Sequence, residues 1–118
     1  MDLLCPICGA PLEKRERALV CPSHHSFDIA RQGYVNLLPV QQKHSQDPGD
    51  TREQVLSRRA FLDTGTYAPI LEALIEAARE YGASGELLDV GCGEGYYCAG
   101  LSQALGLPLT GVDISKEA

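Results

Sequence analysis

The chain has 118 residues, 44% of them hydrophobic, and a formal net charge of −6. That length fits one domain or two small ones, and the acidic balance excludes a basic nucleic-acid surface running along the whole chain. No apolar run is long enough to span a bilayer, and the start Met1-Asp-Leu-Leu-Cys5 lacks the basic and apolar regions of a signal peptide, so a cytoplasmic protein is expected.

Composition shifts along the chain: all three histidines and the first three cysteines precede Ser45, while nine of the twelve glycines follow Asp50. Two unlike pieces follow from this. Met1–Gln46 holds five Lys/Arg against four Asp/Glu and the remainder five against twelve, so only the first piece could offer a basic face.

The first piece, residues 1–40, carries Cys5-Pro-Ile-Cys8-Gly9 and then Cys21-Pro-Ser-His24-His25. An odd number of cysteines, paired Cys-x-x-Cys spacing and no export signal favour a metal over disulfides. One knuckle brings two thiolates to an ion, the glycine after it lets the backbone turn, and a second knuckle completes a tetrahedral Cys₃His zinc site. By spacing, His24 and His25 are both within reach as the fourth ligand. A redox pair of thioredoxin type would need a helix after Cys5, which Pro11 and the second knuckle oppose. Four protein ligands leave no open position for water, so one structural zinc is expected, supplying much of the folding energy of so small a piece. Leu12 to Val20 suits a hairpin. Ser26 to Pro39 alternates loosely and suits an extended segment that closes the ribbon, with Phe27, Ile29, Tyr34, Val35 and Leu37 as its small core.

Residues 41–50 lack apolar periodicity, end in Asp47-Pro-Gly-Asp50 and are expected to be a linker. Lys43, His44 and Arg52 are candidate contacts to RNA phosphate, which would position a polynucleotide without reading it. The third piece, 51–118, starts with a helix capped by Asp50, with Val55, Leu56, Arg59 and Leu62 at helical spacing and Gly65 as its stop. After Pro69 a second helix puts Ile70, Leu71, Leu74, Ile75 and Ala78 on one stripe and Glu72, Glu76, Arg79 and Glu80 on the wet face. Both helices are expected to cover a face of the sheet that begins at Glu86.

Glu86-Leu-Leu-Asp-Val-Gly-Cys-Gly-Glu-Gly95 is a buried-type strand running into glycines at every second position, followed by a helix from about Tyr96 to Leu105. Glycine there allows φ > 0 and close approach of a ligand to the backbone. A dinucleotide fingerprint would place its third glycine at Tyr96. The pattern here, acid-x-G-x-G-x-G from Asp89, instead resembles the first motif of the Rossmann-like S-adenosylmethionine-dependent methyltransferases. A carboxylate suits a cofactor with an ammonium and a sulfonium better than one with two phosphates. Leu109-Thr-Gly-Val-Asp113 reads as the next strand, ending in an acid where doubly wound folds bind ribose hydroxyls. Cys92 and Cys98 read as a turn residue and a buried helix residue.

Cys5-Pro-x-Cys8, Cys21-Pro, His25-x-Phe-Asp28, Gly33-Tyr-Val-Asn-Leu-Leu-Pro-Val40, Asp47-Pro-Gly-Asp50, Arg58-Arg-Ala-Phe-Leu-Asp63 and the glycine loop together resemble the large-subunit rRNA guanine-N1 methyltransferases (RlmA-like). The resemblance implies a zinc ribbon followed by the start of an α/β, Rossmann-like class I methyltransferase domain. It also implies methyl transfer from S-adenosylmethionine to N1 of a guanine in a 23S rRNA hairpin, the zinc domain helping to hold the RNA. It makes His25 the fourth ligand beside Cys5, Cys8 and Cys21, leaving His24 at the surface. The candidate cofactor set is Tyr67, Asp89, Gly91, Gly93, Glu94, Gly95, Tyr96 and Asp113, the first of these matching an aromatic that meets the cofactor in the resembled family.

A parallel sheet needs more strands than two, so the chain is expected to continue past Ala118, where the group that handles the N1 proton is also expected; no catalytic residue is assigned. A homodimer is one assembly to expect. The alternatives are a zinc-ribbon adaptor for RNA or protein with a non-catalytic methyltransferase-like domain, and a methyltransferase of the same fold acting on protein or a small molecule.

Overall fold

In the computed structural model, which describes residues 2–42 and 44–118, the chain forms two compact units, 1–46 and 47–118. Lys43, one of the expected phosphate contacts, lies outside the described residues.

The first unit is a three-stranded antiparallel sheet with one metal-ligand knuckle before its first strand and another between its second and third. Strands β1 (Glu13–Arg15) and β2 (Ala18–Val20) form the expected hairpin around Glu16, which takes a left-handed φ of 55°, and β3 (Ser26–Asp28) pairs with β2. The segment after β3 is less extended than expected: a single bridge joins Ile29 to Val35, and the chain turns at Gly33 between them. Phe27, Ile29, Val35 and Leu37 are half-buried, but Tyr34 is exposed and outside that small core. The reason is that Ala30 N–H donates to Tyr34 O at 2.8 Å, a loop closure that uses the tyrosine's backbone and leaves its ring outward.

The second unit begins at Asp47, four residues before the start expected for it at residue 51. Ser115 Oγ donates to Asp50 O at 2.6 Å and Lys116 pairs with Asp47 at 2.8 Å. Gly49, at φ 82°, lies so close that a Cβ there would come within 2.8 Å of the Ile114 side chain. Residues 47–50 are thus a strap on the exit of the last strand.

Helix α1 (Arg52–Leu62) is capped by Thr51, not by Asp50 as expected. Thr51 Oγ1 accepts from Gln54 N–H and Gln54 Oε1 accepts from Thr51 N–H, a reciprocal capping box, while the Asp50 carboxylate is taken by Arg58 at 2.6 Å. Val55 and Leu62 are buried; Leu56 and Arg59 of the expected stripe are exposed. Helix α2 (Ala68–Glu80) half-buries Leu71, Ile75 and Ala78 but exposes Ile70 and Leu74.

Strands β4 (Leu87–Val90) and β5 (Leu109–Val112) are parallel, joined by α3 (Tyr96–Leu105), which makes one βαβ unit. The helix resting on the strands is α3, and α2 packs on α3 instead of lying on the sheet as expected. The absence of a side chain at Gly100 makes this possible, since a Cβ there would sit 2.5 Å from Leu71 Cδ2. Gly100→Val is therefore expected to lower stability by about 1–3 kcal/mol in denaturant unfolding, and Leu71→Ala in the same chain to recover part of the loss. No described helix is long and apolar enough to cross a membrane.

Candidate metal centre and glycine-loop site

Two backbone turns build the metal centre. In the first knuckle Gly9, at φ 74°, donates to Cys5 O at 2.8 Å, and Cys5 N–H donates to Ala10 O at 2.7 Å. In the second, Cys21 N–H donates to His25 O at 3.0 Å and His24 N–H to Cys21 O at 2.9 Å. His24 occupies the left-handed position of that turn, at φ 66°, and is exposed. His25, one residue on, points inward. The four ligand atoms of Cys5, Cys8, Cys21 and His25 all lie within 4.8 Å of one another.

Cys8 Sγ is 3.7 Å from Cys21 Sγ, and His25 Nδ1 is 3.5 Å from Cys5 Sγ and 3.3 Å from Cys21 Sγ. Zinc bonds of 2.0–2.3 Å in a tetrahedron require ligand separations of about 3.5–3.8 Å. The donor set and its spacing therefore fit one zinc ion, bound through Nδ1 of the histidine. Burial opposes ionisation of the Cys5 thiol, but the N–H groups of Cys8 and Ile7 and the neighbouring thiols outweigh it, lowering its pKa to about 7. The Ala10 N–H favours the Cys8 thiolate, yet burial and the thiols of Cys5 and Cys21 together push Cys8 up.

The glycine-loop site sits at the carboxyl ends of both parallel strands, where open α/β sheets bind ligands. Gly91 and Cys92 N–H both donate to Val112 O, at 2.7 and 3.0 Å, so the turn after β4 is bound to the tip of β5. Gly91, Gly93 and Gly95 have φ of 80°, 57° and 88°, a left-handed backbone that only glycine adopts without strain. Gly95 is the N-cap of α3 and gives it no side-chain cap. Asp113 closes the turn from β5: its Oδ2 accepts from Gly93 N–H at 2.9 Å and its Oδ1 from Ser115 N–H at 2.8 Å.

Asp89 precedes this turn on β4, and Asp113 meets it from the end of β5. The Cys92 thiol is raised by burial, then by the charges of Asp113 and Asp89, and Cys98 is raised by burial, then by Asp89. Gly111 faces the same place, since a Cβ on it would meet Cys92 Sγ at 3.0 Å. Glycine-loop residues Asp89, Gly91, Gly93, Glu94, Gly95, Tyr96 and Asp113 are thus brought to one turn. Tyr67 is on another element, at the start of α2, 41% exposed with its ring edge-on to Phe61 at a centroid distance of 5.0 Å.

Two site residues were not legible in the sequence. Arg59 of α1 donates Nε to Glu94 Oε2 at 2.8 Å, and Arg58 Nη1 would lie 3.7 Å from a Cβ on Gly93. The sequence signal was the Arg58-Arg59 pair, of which helical periodicity placed Arg59 on a core stripe. The raised thiols carry a reactivity prediction. In the zinc-loaded protein at neutral pH, Cys92 and Cys98 are expected to alkylate slowly, faster as pH rises toward their raised values. Chelation should make Cys5, Cys8 and Cys21 newly reactive, as peptide mapping by mass spectrometry will show.

Residues 3–46 match the family model described as "RlmA, N-terminal", a zinc ribbon. Over 98% of its length the chain is 42% identical to a 23S rRNA (guanine(748)-N(1))-methyltransferase of Streptomyces fradiae, covering 42% of that protein. It is 41% identical over 98% of its length to a protein of Micromonospora griseorubida provisionally named a 23S rRNA (guanine-N(1)-)-methyltransferase, covering 45% of it. A provisionally named relative in Bacillus subtilis (strain 168) is 30% identical over 96% of the chain and is covered to 42%. The chain spans about two-fifths of the length of the curated relatives it matches. The resemblance drawn from the motifs therefore holds along nearly the whole chain.

Proposed function

We propose that this chain is the zinc-ribbon lobe and the cofactor-binding beginning of a cytoplasmic 23S rRNA guanine-N1 methyltransferase, using S-adenosylmethionine and acting on a guanine in an rRNA hairpin. The observation that carries this reading is the turn between Asp89 and Asp113, with three left-handed glycines at the ends of two parallel strands. Beyond the turn, the relatives named as 23S rRNA methyltransferases support rRNA over other acceptors. On this reading the ribbon covers residues 1–40, a connection follows, and the Rossmann-like domain occupies the rest.

When bound, S-adenosylmethionine supplies an electrophilic methyl on a sulfonium. The chain's own residues hold and orient. Gly91, Gly93 and Gly95 let the backbone approach the methionine and ribose parts without a Cβ in the way. Asp89 and Asp113 give the turn negative charge suited to an ammonium, and Asp113 has acceptor capacity left for ribose hydroxyls after its two N–H bonds. The resemblance assigns Tyr67 to the sulfonium side of the cofactor, where an aromatic face attracts a cation. Placing donor carbon and acceptor nitrogen in line is then the main catalytic task. Neutral guanine carries a proton on N1 and must leave its stack to be reached.

The test is transfer of labelled methyl from S-adenosylmethionine to 23S rRNA hairpin fragments, set against free guanosine and total protein. N1-methylguanine in the hairpin digest is the expected product. Label in protein or in free guanosine alone would redirect the reading to another acceptor. No calorimetric heat with S-adenosylmethionine would leave the zinc-ribbon adaptor.

A further inference from the structure

The glycine turn is held from outside its own motif. Glu94 lies between two left-handed glycines, its side chain 9% exposed, and its carboxylate receives Arg59 Nε at 2.8 Å from a helix 35 residues earlier. Arg59 itself is 51% exposed. The helix that presents it is fixed by the Thr51–Gln54 capping box and by buried Val55 and Leu62. We propose that Arg59 is a positioning residue for the glycine loop, setting the turn through Glu94, and that Glu94 serves the cofactor through the shape of the loop and not by touching it. This rests on the reading of the loop as an S-adenosylmethionine site.

The electrostatics favour this division of labour. Asp89 and Asp113 already flank the turn, and a third carboxylate, nearly buried and without a cation, would oppose the compact loop by desolvation and by like-charge repulsion. Arg59 removes that conflict. It does so next to the middle of the turn, Gly93, whose N–H is bonded to Asp113. Fixing Glu94 therefore fixes the backbone between the two acids, which is the part a cofactor would meet.

The pair is asymmetric, and the asymmetry supplies the test. Arg59→Met strands a nearly buried carboxylate, whereas Glu94→Gln leaves a half-exposed guanidinium that water can solvate. Titrated calorimetrically with S-adenosylmethionine, Arg59→Met is expected to lose about tenfold in affinity and Glu94→Gln less than about threefold. The double variant should bind better than Arg59→Met alone, and Arg59→Lys should recover part of the loss. Hydrogen exchange at Gly93 N–H, read without ligand, should quicken in Arg59→Met and return toward normal in the double variant. If Glu94 touches the cofactor instead, Glu94→Gln weakens binding by itself and weakens it further on top of Arg59→Met. Equal affinity and equal Gly93 exchange in the unaltered protein and Arg59→Met would overturn the proposal while sparing the cofactor reading. No binding by the unaltered protein would remove both.

Discussion

Cys21→Ser is expected to release the zinc and unfold residues 1–46, with residues 47–118 keeping their structure. Among the described residues of the first unit only Cys5 and Cys21 are buried, and its strands are three residues each. So small a unit cannot bury enough apolar surface to offset the conformational entropy of ordering it, which is about 1–2 kcal/mol per residue for the backbone alone. Structural zinc sites contribute an apparent binding free energy of about 10–16 kcal/mol near neutral pH, which makes metal binding and folding one event here. Loss of one ligand of four should therefore act as loss of the fold. The measurement is metal content together with hydrogen exchange: protection should vanish in β1 to β3 and persist in β4, α3 and β5. Chelation should give the same pattern. His25→Ala should behave like Cys21→Ser, while His24→Ala, at an exposed turn position, should leave one zinc per chain. The opposite result for the two histidines would show that the ligand is assigned to the wrong residue.

Asp113→Ala should lower affinity for S-adenosylmethionine by roughly a hundredfold, because one side chain serves both the turn and, on the proposed reading, the ribose. Its two oxygens accept from Gly93 and Ser115 N–H at 2.9 and 2.8 Å. A hydrogen bond to a charged group contributes about 1.5–3 kcal/mol, so losing the loop bonds and a ribose contact together accounts for an effect of that size. Asp113→Asn keeps the shape but can accept through one oxygen only, and should fall between the two, at roughly tenfold. Glu72→Ala, on the exposed face of α2, is the control and should bind normally. Wild-type affinity in Asp113→Ala would place the cofactor away from the tip of β5.

Much of the candidate site was legible because its signals are local. Cys5, Cys8 and Cys21 announce themselves by spacing, and the glycines at 91, 93 and 95 by alternation, since a knuckle or a left-handed turn is made by adjacent residues. The choice between His24 and His25 was not local in that sense. Spacing allowed both and the resemblance implied His25; the backbone agrees by giving His24 the left-handed position, with φ 66°, so that the next side chain turns inward. The cap of α1 was misread for a similar reason. Asp50 and Thr51 are both good N-caps, and Arg58, eight residues on, takes Asp50 away.

Residue order alone thus determined that this protein holds a Cys₃His knuckle pair and a strand–turn–helix with an acid on each strand tip. Both depend on contacts among neighbours in the chain, where the period of the backbone carries the information. The tertiary structure alone decided the Arg59–Glu94 pair, the Gly100–Leu71 contact and the strap of residues 47–50 on Ser115. Those contacts join segments 29 to 65 residues apart. Hydrophobic period and capping rules reach one turn of helix or one hairpin, and a pairing at longer range is set by how whole elements settle against each other.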